Sequence, residues 1–593
     1  MRRLLALAAE PRLTAGGGWS TSLETVNDLH QVTRRWIEGD PDPETRRALQ
    51  ELVEADDQQG LAEAMGEPLT FGTAGIRGEV GPGSGRMNRA TVIRVTRGLV
   101  DHLLTKHGGV PESAVAIGFD ARPDSRTFAQ DAAGVLAAAG IPVRYFPEVT
   151  PTPLVAFAAK HLAAPAAIVI TASHNPPADN GYKVYDANAA QIIPPTDAEI
   201  AGAIARVGPA RDVPRVESAF AGHSDLVSPM PEDIVDHYRR ELDAARPNPQ
   251  TSDLTIVYTP LHGVGGALLT RICTWAQHTG LTPVPGQMEP DGAFPTVAFP
   301  NPEEPGALDM ALELAGRVDA HLVLANDPDA DRLAAAVPLS GGWRLLTGNE
   351  LGALLGDYVL RYWHHPEPPI VVNSVVSSPM LGRIAARRGA VHGTTLTGFK
   401  WIINAGLALE AEGKGRFAFG YEEALGYSVG RTVRDKDGIS AAIVMADLAA
   451  EEASAERGPI DRLHDLWDEV GLWVSTQQSI VKTGAGGQEA LVAAIDRLGE
   501  GPPTGLSGTE ITGVIDYRVG AGERPPWLGA QDLIELTLGE EGRILVRPSG
   551  TEPKLKIYVD LSGSTEPDHA TAHGRLLDRA EALAAAMGEW LEV

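Results

Sequence analysis

The chain has 593 residues, 43% hydrophobic and 22% charged, a balance that suits a globular protein with several apolar cores; at roughly 150 residues per domain it predicts about four domains. With 50 Lys+Arg against 78 Asp+Glu the formal charge is -28, which excludes the broad basic face of a nucleic-acid binder but leaves room for a local basic pocket that holds a small phosphorylated molecule. One cysteine, Cys273, excludes an intramolecular disulfide, and no apolar run reaches the roughly 20 residues needed to span a bilayer.

Met1–Ala9 imitates a signal peptide, but Glu10 ends its apolar segment and no convincing cleavage site follows, so residues 1–20 are expected to be a flexible tail on a cytoplasmic protein. Leu23–Glu38 and Pro43–Met65 read as helices, the second with Asp42 as N-cap and Pro43 in its first position. Phe71–Asn88 is a glycine-rich loop. Helix Arg89–Lys106, strand Ala114–Phe119, helix Ser125–Ala139, strand Pro142–Phe146 and a short strand at Ile168–Ile170 then alternate as in a parallel or mixed sheet covered by helices. Residues 21–228 form a first domain, ending in the proline-bearing stretch Pro209–Pro229. Helix Pro231–Ala245, strand Thr255–Tyr258, helix Ala267–His278 and strand His321–Ala325 make a second over 229–338. Helix Gly348–Arg361, strand Ile370–Asn373 and helix Pro379–Arg388 make a third over 339–462. Strands Arg543–Val546 and Lys554–Val559 with helix Asp568–Leu591 read as a smaller α+β domain over 463–593.

The loops between these elements carry the chemistry. In Ala167–Lys183 the β-branched run Ile168–Ile170 gives way to Thr171, Ala172, Ser173, His174, Asn175, Pro176 and Pro177; the prolines forbid strand pairing, so Ser173 and His174 stand where a buried strand emerges into a stiff polar loop. Asp327, Asp329 and Asp331 follow strand His321–Ala325 and fall on one side of an extended segment, where they repel one another unless a cation sits among them. A calcium EF-hand fails because Arg332 takes its glycine position and Pro338 its bidentate-glutamate position; Mg²⁺, which takes few carboxylates and a phosphate oxygen, suits the loop better than a plain solvated turn. Arg547, Ser549, Gly550 and Thr551 combine a planar fork, two hydroxyls and a backbone N–H open to close approach, the parts of a phosphate clamp. Gly420–Tyr427 places Glu422 and Glu423 where they could accept bonds from sugar hydroxyls, with Gly398, Lys400, Arg434 and Lys436 nearby. Arg77 lies between Ile76 and Gly78. His262 reads as structural, and Gly81–Gly85 lacks the residues of a P-loop.

FGTAGIRG, TASHNPPADNGYK, DPDADR, GYEEALGY and RPSGTEP stand in that order across Phe71–Pro553 and resemble the α-D-phosphohexomutase superfamily of phosphoglucomutases and phosphomannomutases; the spellings TLTGFKW (Thr395–Trp401), PDGAFPTVAFPNPEEP (Pro290–Pro305) and GYEEALGY resemble the branch of phosphoglucomutase-2-type enzymes and phosphopentomutases. The resemblance implies an α/β protein of four domains, three similar mixed-sheet domains and a smaller C-terminal α+β domain, each giving one loop to a central cleft. It implies that Ser173 is a phosphoserine; that Mg²⁺ is held by Ser173 and by Asp327, Asp329 and Asp331; that Arg77, His174 and Lys183 assist catalysis; and that Arg332, Gly398, Lys400, Glu422, Glu423, Arg434, Lys436, Arg547, Ser549, Gly550 and Thr551 bind substrate. The implied partners are small sugar phosphates, with a sugar 1,6-bisphosphate as intermediate and activator and with neither nucleic acid nor membrane; the implied state is a monomer or weak homodimer. Ala424 and Gly426 stand where hexose branches carry a serine and a histidine, so the resemblance does not carry over the choice of sugar; glucose 1-phosphate/glucose 6-phosphate is the expected pair, with mannose and ribose or deoxyribose phosphates as alternatives. A phosphatase or bisphosphate synthase using the same serine, and a non-catalytic sugar-phosphate-binding regulator, are the rival readings.

Overall fold

The computed structural model describes residues 26–73, 75–482, 487–548 and 554–592; the expected tail over residues 1–20 lies outside them. Three units in succession repeat one arrangement. Each has three parallel strands joined through helices, with the first strand lying between the third and the second, and a fourth strand pairing antiparallel with the third. The strands are Val115–Phe119, Val143–Tyr145, Ala167–Ile170 and Asp179–Tyr185 in the first unit; Ile256–Thr259, Leu281–Pro283, Leu322–Ala325 and Ala334–Leu339 in the second; and Pro369–Ser374, Val391–Thr395, Arg416–Glu422 and Gly426–Val429 in the third. A last unit is an antiparallel sheet in the order Leu472–Val481, Lys554–Gly563, Gly542–Pro548, Ile534–Thr537 and Gly513–Asp516, covered by helices Gly487–Glu500 and His569–Trp590. The three motif loops at Ser173, Asp327 and Glu423 occupy the same slot: the end of the third parallel strand, before the antiparallel return. Ligands of open α/β sheets bind at the carboxyl ends of their strands for this reason.

Two local readings are corrected. The predicted helix Pro43–Met65 is two helices, Pro43–Glu54 and Gln58–Met65, because Asp56 turns to φ +52° and Asp57 caps the second one by accepting from Gly60 N at 3.0 Å. The expected glycine-rich loop Phe71–Asn88 contains the edge strand Ile76–Glu79, which pairs with Asp179–Tyr185 and sets Arg77 opposite Gly181. Gly181 is required there: a Cβ on it would lie 2.5 Å from the Thr171 carbonyl. Helix Pro459–Val470 packs on the helices Gly348–Arg361, Met380–Arg388 and Gly438–Ser454 of the third unit, so residue 462, the boundary drawn from the sequence, falls inside it. Among the described residues no helix is long and apolar enough to cross a membrane.

One apolar core runs through the first three units and includes Phe157, Tyr238, Tyr258, Leu351 and Trp467. The last unit has its own core around Leu491, Ile557 and Leu583, and meets the third through Val375, Val376, Leu396, Tyr517, Leu545 and Tyr558. The second and third units are also locked by a buried ionic joint: Asp447 accepts from Arg246 Nη2 at 2.6 Å, Arg246 Nε at 2.9 Å and Gln250 N at 2.8 Å, with His278 Nε2 at 3.1 Å. Removing one partner of such a joint strands the other charge in the interior. Asp447→Ala is therefore expected to destabilise the protein by about 3–5 kcal/mol in urea unfolding; a loss below about 1 kcal/mol would show that Arg246 finds another partner.

Candidate active site

Ser173 is buried, 3% exposed, and takes φ +52°, a left-handed conformation that a residue with a side chain adopts only when its surroundings impose it. Thr171 Oγ1 accepts from Ser173 N at 2.8 Å. The larger constraint is Arg122, a residue that the sequence reading missed. Its guanidinium donates to the carbonyls of Ser173 (2.8 Å), Asn175 (2.7 Å), Pro176 (2.6 Å) and Asp179 (2.7 Å), and Asp120 Oδ2 lies 3.2 Å from its Nε. The available signal was positional: Asp120–Ser125 follows a buried parallel strand adjacent to the one that ends at Ile170. Arg77 donates to Asn175 Oδ1 at 2.9 Å and so holds the same loop from the edge strand.

Ser173 Oγ donates to Asp327 Oδ2 at 2.8 Å, joining the first unit to the second. His174 Nδ1 lies 3.1 Å from Ser173 Oγ and 3.8 Å from Asp327 Oδ2. Burial, then Arg332 and Arg77 nearby, hold the His174 pKa well below its ordinary value, so the ring is neutral near pH 7. Asp327, Asp329 and Asp331 are all buried, with carboxylate oxygens within 4.8 Å of one another. Burial and the two neighbouring carboxylates push Asp327 well up. Burial also acts against Asp329, but Lys183 outweighs it and holds that carboxyl well below the usual range. Lys183 Nζ donates to Asp329 Oδ2 at 2.6 Å and Asp331 Oδ2 at 3.1 Å, Thr152 Oγ1 donates to Asp329 Oδ2 at 2.7 Å, and Lys436 Nζ lies 3.1 Å from Asp331 Oδ2. Burial lowers the Lys183 pKa, yet the two aspartates raise it further, so the depressed pKa that a lysine base needs is not met and the ammonium stays charged. Within this cluster Asp329 Oδ1 and Asp331 Oδ1 are buried with no hydrogen-bond partner. Two orphaned carboxylate oxygens in an all-oxygen set suit a hard divalent cation, so these residues fit a Mg²⁺ site.

The remaining predicted residues lie around this centre. Arg332 N donates to Asp327 Oδ1 at 2.9 Å, and its guanidinium is 3.7 Å from Glu303. Glu422 Oε1 accepts from Gly398 N at 2.8 Å, which joins the two loops of the third unit. Burial lowers Lys400, on the next turn, to about 8. Glu423 Oε2 accepts from Ser374 Oγ at 3.2 Å and Ser377 Oγ at 3.1 Å; burial and then Glu422 raise it to about 7. Arg434 donates to the Asn188 carbonyl at 2.8 Å and so is engaged with the first unit. In the last unit Arg547 pairs across the strand with Lys556, which the sequence reading passed over and whose nearby charges include Glu423 and Glu303. Ser549, Gly550 and Thr551 lie outside the described residues.

The chain matches the family models for phosphoglucomutase/phosphomannomutase α/β/α domain I over residues 68–210, domain II over 235–341, domain III over 347–470 and the C-terminal domain over 521–573. It belongs to the phosphoglucomutase/phosphomannomutase family and is an isomerase-type phosphotransferase, a sugar-phosphate mutase. It is 36% identical over 572 residues to a phosphopentomutase of Mus musculus, covering 91% of this chain and 92% of that one. It is 34% identical over 511 residues to a phosphoglucomutase of Staphylococcus epidermidis, covering 84% and 92%. In fold it is similar to the open form of the phosphoglucomutase parafusin from Paramecium, with a TM-score of 0.67 at 17% identity over 87% of this chain and 95% of that one.

The position of Glu423 sets a pH dependence. Its folded pKa of about 7 lies above the ordinary 4.5, so the folded state binds the extra proton and stability falls as pH rises through that window. Glu423→Gln cannot ionise: it should match the wild type in denaturant midpoint near pH 4.5 and exceed it at pH 8. Parallel pH profiles for the two proteins would contradict the buried, proton-holding carboxyl.

Proposed function

We propose that this cleft interconverts a sugar 1-phosphate and the isomer phosphorylated at the sugar's terminal carbon, through a phosphate carried on Ser173. The observation that carries the reading is the Ser173 hydroxyl set 2.8 Å from Asp327, beside the orphaned oxygens of Asp329 and Asp331. In the first half-reaction the phosphorus–Oγ bond of phosphoserine breaks as a bond forms to the free hydroxyl of the bound monophosphate. The hydroxyl proton leaves to a base and Ser173 Oγ gains one, giving a sugar bisphosphate. In the second half the bisphosphate, turned round, returns its other phosphoryl group to Ser173 and leaves the isomeric monophosphate.

Phosphoryl transfer demands positioning and charge neutralisation above all. Lys183 and Arg77 supply fixed positive charge to the transferring oxygens. His174, whose Nδ1 lies 3.1 Å from Oγ, assists the proton exchange at that oxygen in this reading. Asp327, Asp329 and Asp331 would hold Mg²⁺, which when bound draws charge from phosphate oxygens. In this reading Glu422, Glu423 and Lys400 orient the sugar, and Arg547 with Ser549 and Thr551 clamps the non-reacting phosphate. A bisphosphate of the substrate sugar primes Ser173 and serves as the intermediate.

Glucose 1-phosphate/glucose 6-phosphate is the pair first expected from the sequence. The pentose pair is a second reading, favoured by the near full-length likeness to the mouse phosphopentomutase. Comparing kcat/KM for glucose, mannose and ribose 1-phosphates decides between them, the highest value naming the sugar.

Ser173→Ala is expected to abolish interconversion even with bisphosphate supplied; normal turnover would overturn the phosphoserine reading. Asp329→Asn, or thorough chelation, should lower turnover by about a hundredfold or more while circular dichroism stays unchanged. Unchanged activity after chelation would remove the metal from the account.

A further inference from the structure

A separate cavity of about 200 Å³ opens where helix Ile234–Ala245 of the second unit meets the end of helix Gly348–Arg361 and the first residues of strand Arg416–Glu422 in the third. None of the cleft residues described above lines it. The residues lining it combine the aromatic Tyr362, Trp363 and His365 with Arg416 and Arg431. One carboxylate, Glu241, also reaches it, but Lys160 Nζ lies 2.8 Å from that group and neutralises it. The same ammonium donates to the carbonyls of Arg431 at 2.6 Å and Thr432 at 3.1 Å, which fixes the turn carrying Arg431. Arg431 itself is near Glu410, Nε to Oε1 at 3.3 Å, and half exposed.

Arg416 differs from these. Among the described residues its side chain has no hydrogen bond and no ion pair, although it belongs to a protein with a net charge of -28. An arginine left without a carboxylate in so acidic a chain, on the wall of a cavity, is a charge awaiting an anion. Burial, and then Arg416 and His364 nearby, outweigh Glu367 and keep the His365 pKa below its ordinary value, in keeping with the nearness of Arg416 to the ring. A planar guanidinium matches phosphate oxygens in pairs, and aromatic faces stack on planar bases.

We propose that this cavity binds a mononucleotide, with its phosphates on Arg416 and Arg431 and its base against Tyr362 and Trp363. The volume is below the roughly 300–1,000 Å³ of sites that enclose drug-sized ligands, so the base enters and the phosphates lie at the open rim.

The test is calorimetric titration of ADP into the full chain with the cleft saturated by glucose 1,6-bisphosphate. Binding should persist under that saturation and weaken at least about tenfold in Arg416→Ala, the loss of one charge-assisted contact. Arg416→Ala should keep its mutase turnover, which reports an intact fold. Trp363→Ala should weaken ADP while leaving the weaker binding of inorganic phosphate unchanged. The proposal is overturned if no heat is seen, if the bisphosphate displaces ADP and so locates it in the cleft, if Arg416→Ala binds ADP as tightly as the wild type, or if inorganic phosphate binds as tightly as ADP.

Discussion

Three carboxylates buried within 4.8 Å of one another are the constraint on which the rest of this molecule depends. Each charge taken out of water costs several kcal/mol, and the three repel one another as well. The second unit, which carries Asp327, Asp329 and Asp331, does not balance them alone. Lys183 and Thr152 come from the first unit and Lys436 from the third, each within 3.1 Å of a carboxylate oxygen. The acid cluster thus works as a three-way joint: separating the units would strand charges on every side. The joint is incomplete by two oxygens, Asp329 Oδ1 and Asp331 Oδ1, which is where a cation has a place.

The serine loop is built with the same economy. A side-chain-bearing residue in the left-handed region costs about 1–3 kcal/mol. Against this stand four bonds from the Arg122 guanidinium to loop carbonyls, each worth about 1.5–3 kcal/mol when one partner is charged. The balance favours the strained conformation, and Ser173 is held ready before any substrate arrives. The second unit closes over this anchor: a Cβ on Gly292 would stand 2.5 Å from Arg122 Cα, and the Phe294 ring lies 5.1 Å from the guanidinium. A loop rigid at the hydroxyl and stapled from behind is suited to phosphoryl transfer, in which geometry contributes most of the rate.

Much of this was legible in the amino-acid order. Ser173 and the aspartates announced themselves because each motif is contiguous and follows a β-branched or apolar strand. Other features were silent because they are made by residues far apart in the chain. Arg122 acts on carbonyls, which carry no side-chain signature, some fifty positions away. Arg434 looked like a cleft cation by proximity to Lys436, yet its guanidinium reaches back to Asn188 in the first unit. Lys183 was weighed as a proton shuttle, and two ion pairs from another unit keep it charged. The edge strand Ile76–Glu79 was hidden by glycines whose purpose is to let two backbones approach. The threefold repeat of strand order left no repeat in the sequence, since topology constrains which positions are buried and not which apolar residue fills them.

The central claim is that Ser173 carries the phosphoryl group, and following that phosphate tests it most directly. The protein is charged with a sugar 1,6-bisphosphate labelled in its phosphates, digested, and its peptides are read by mass spectrometry before and after a chase with unlabelled sugar monophosphate. The account predicts label on the peptide containing Ser173 and its loss to the sugar within the time of a turnover. Label on another residue, or label on Ser173 that the chase leaves in place, would contradict it.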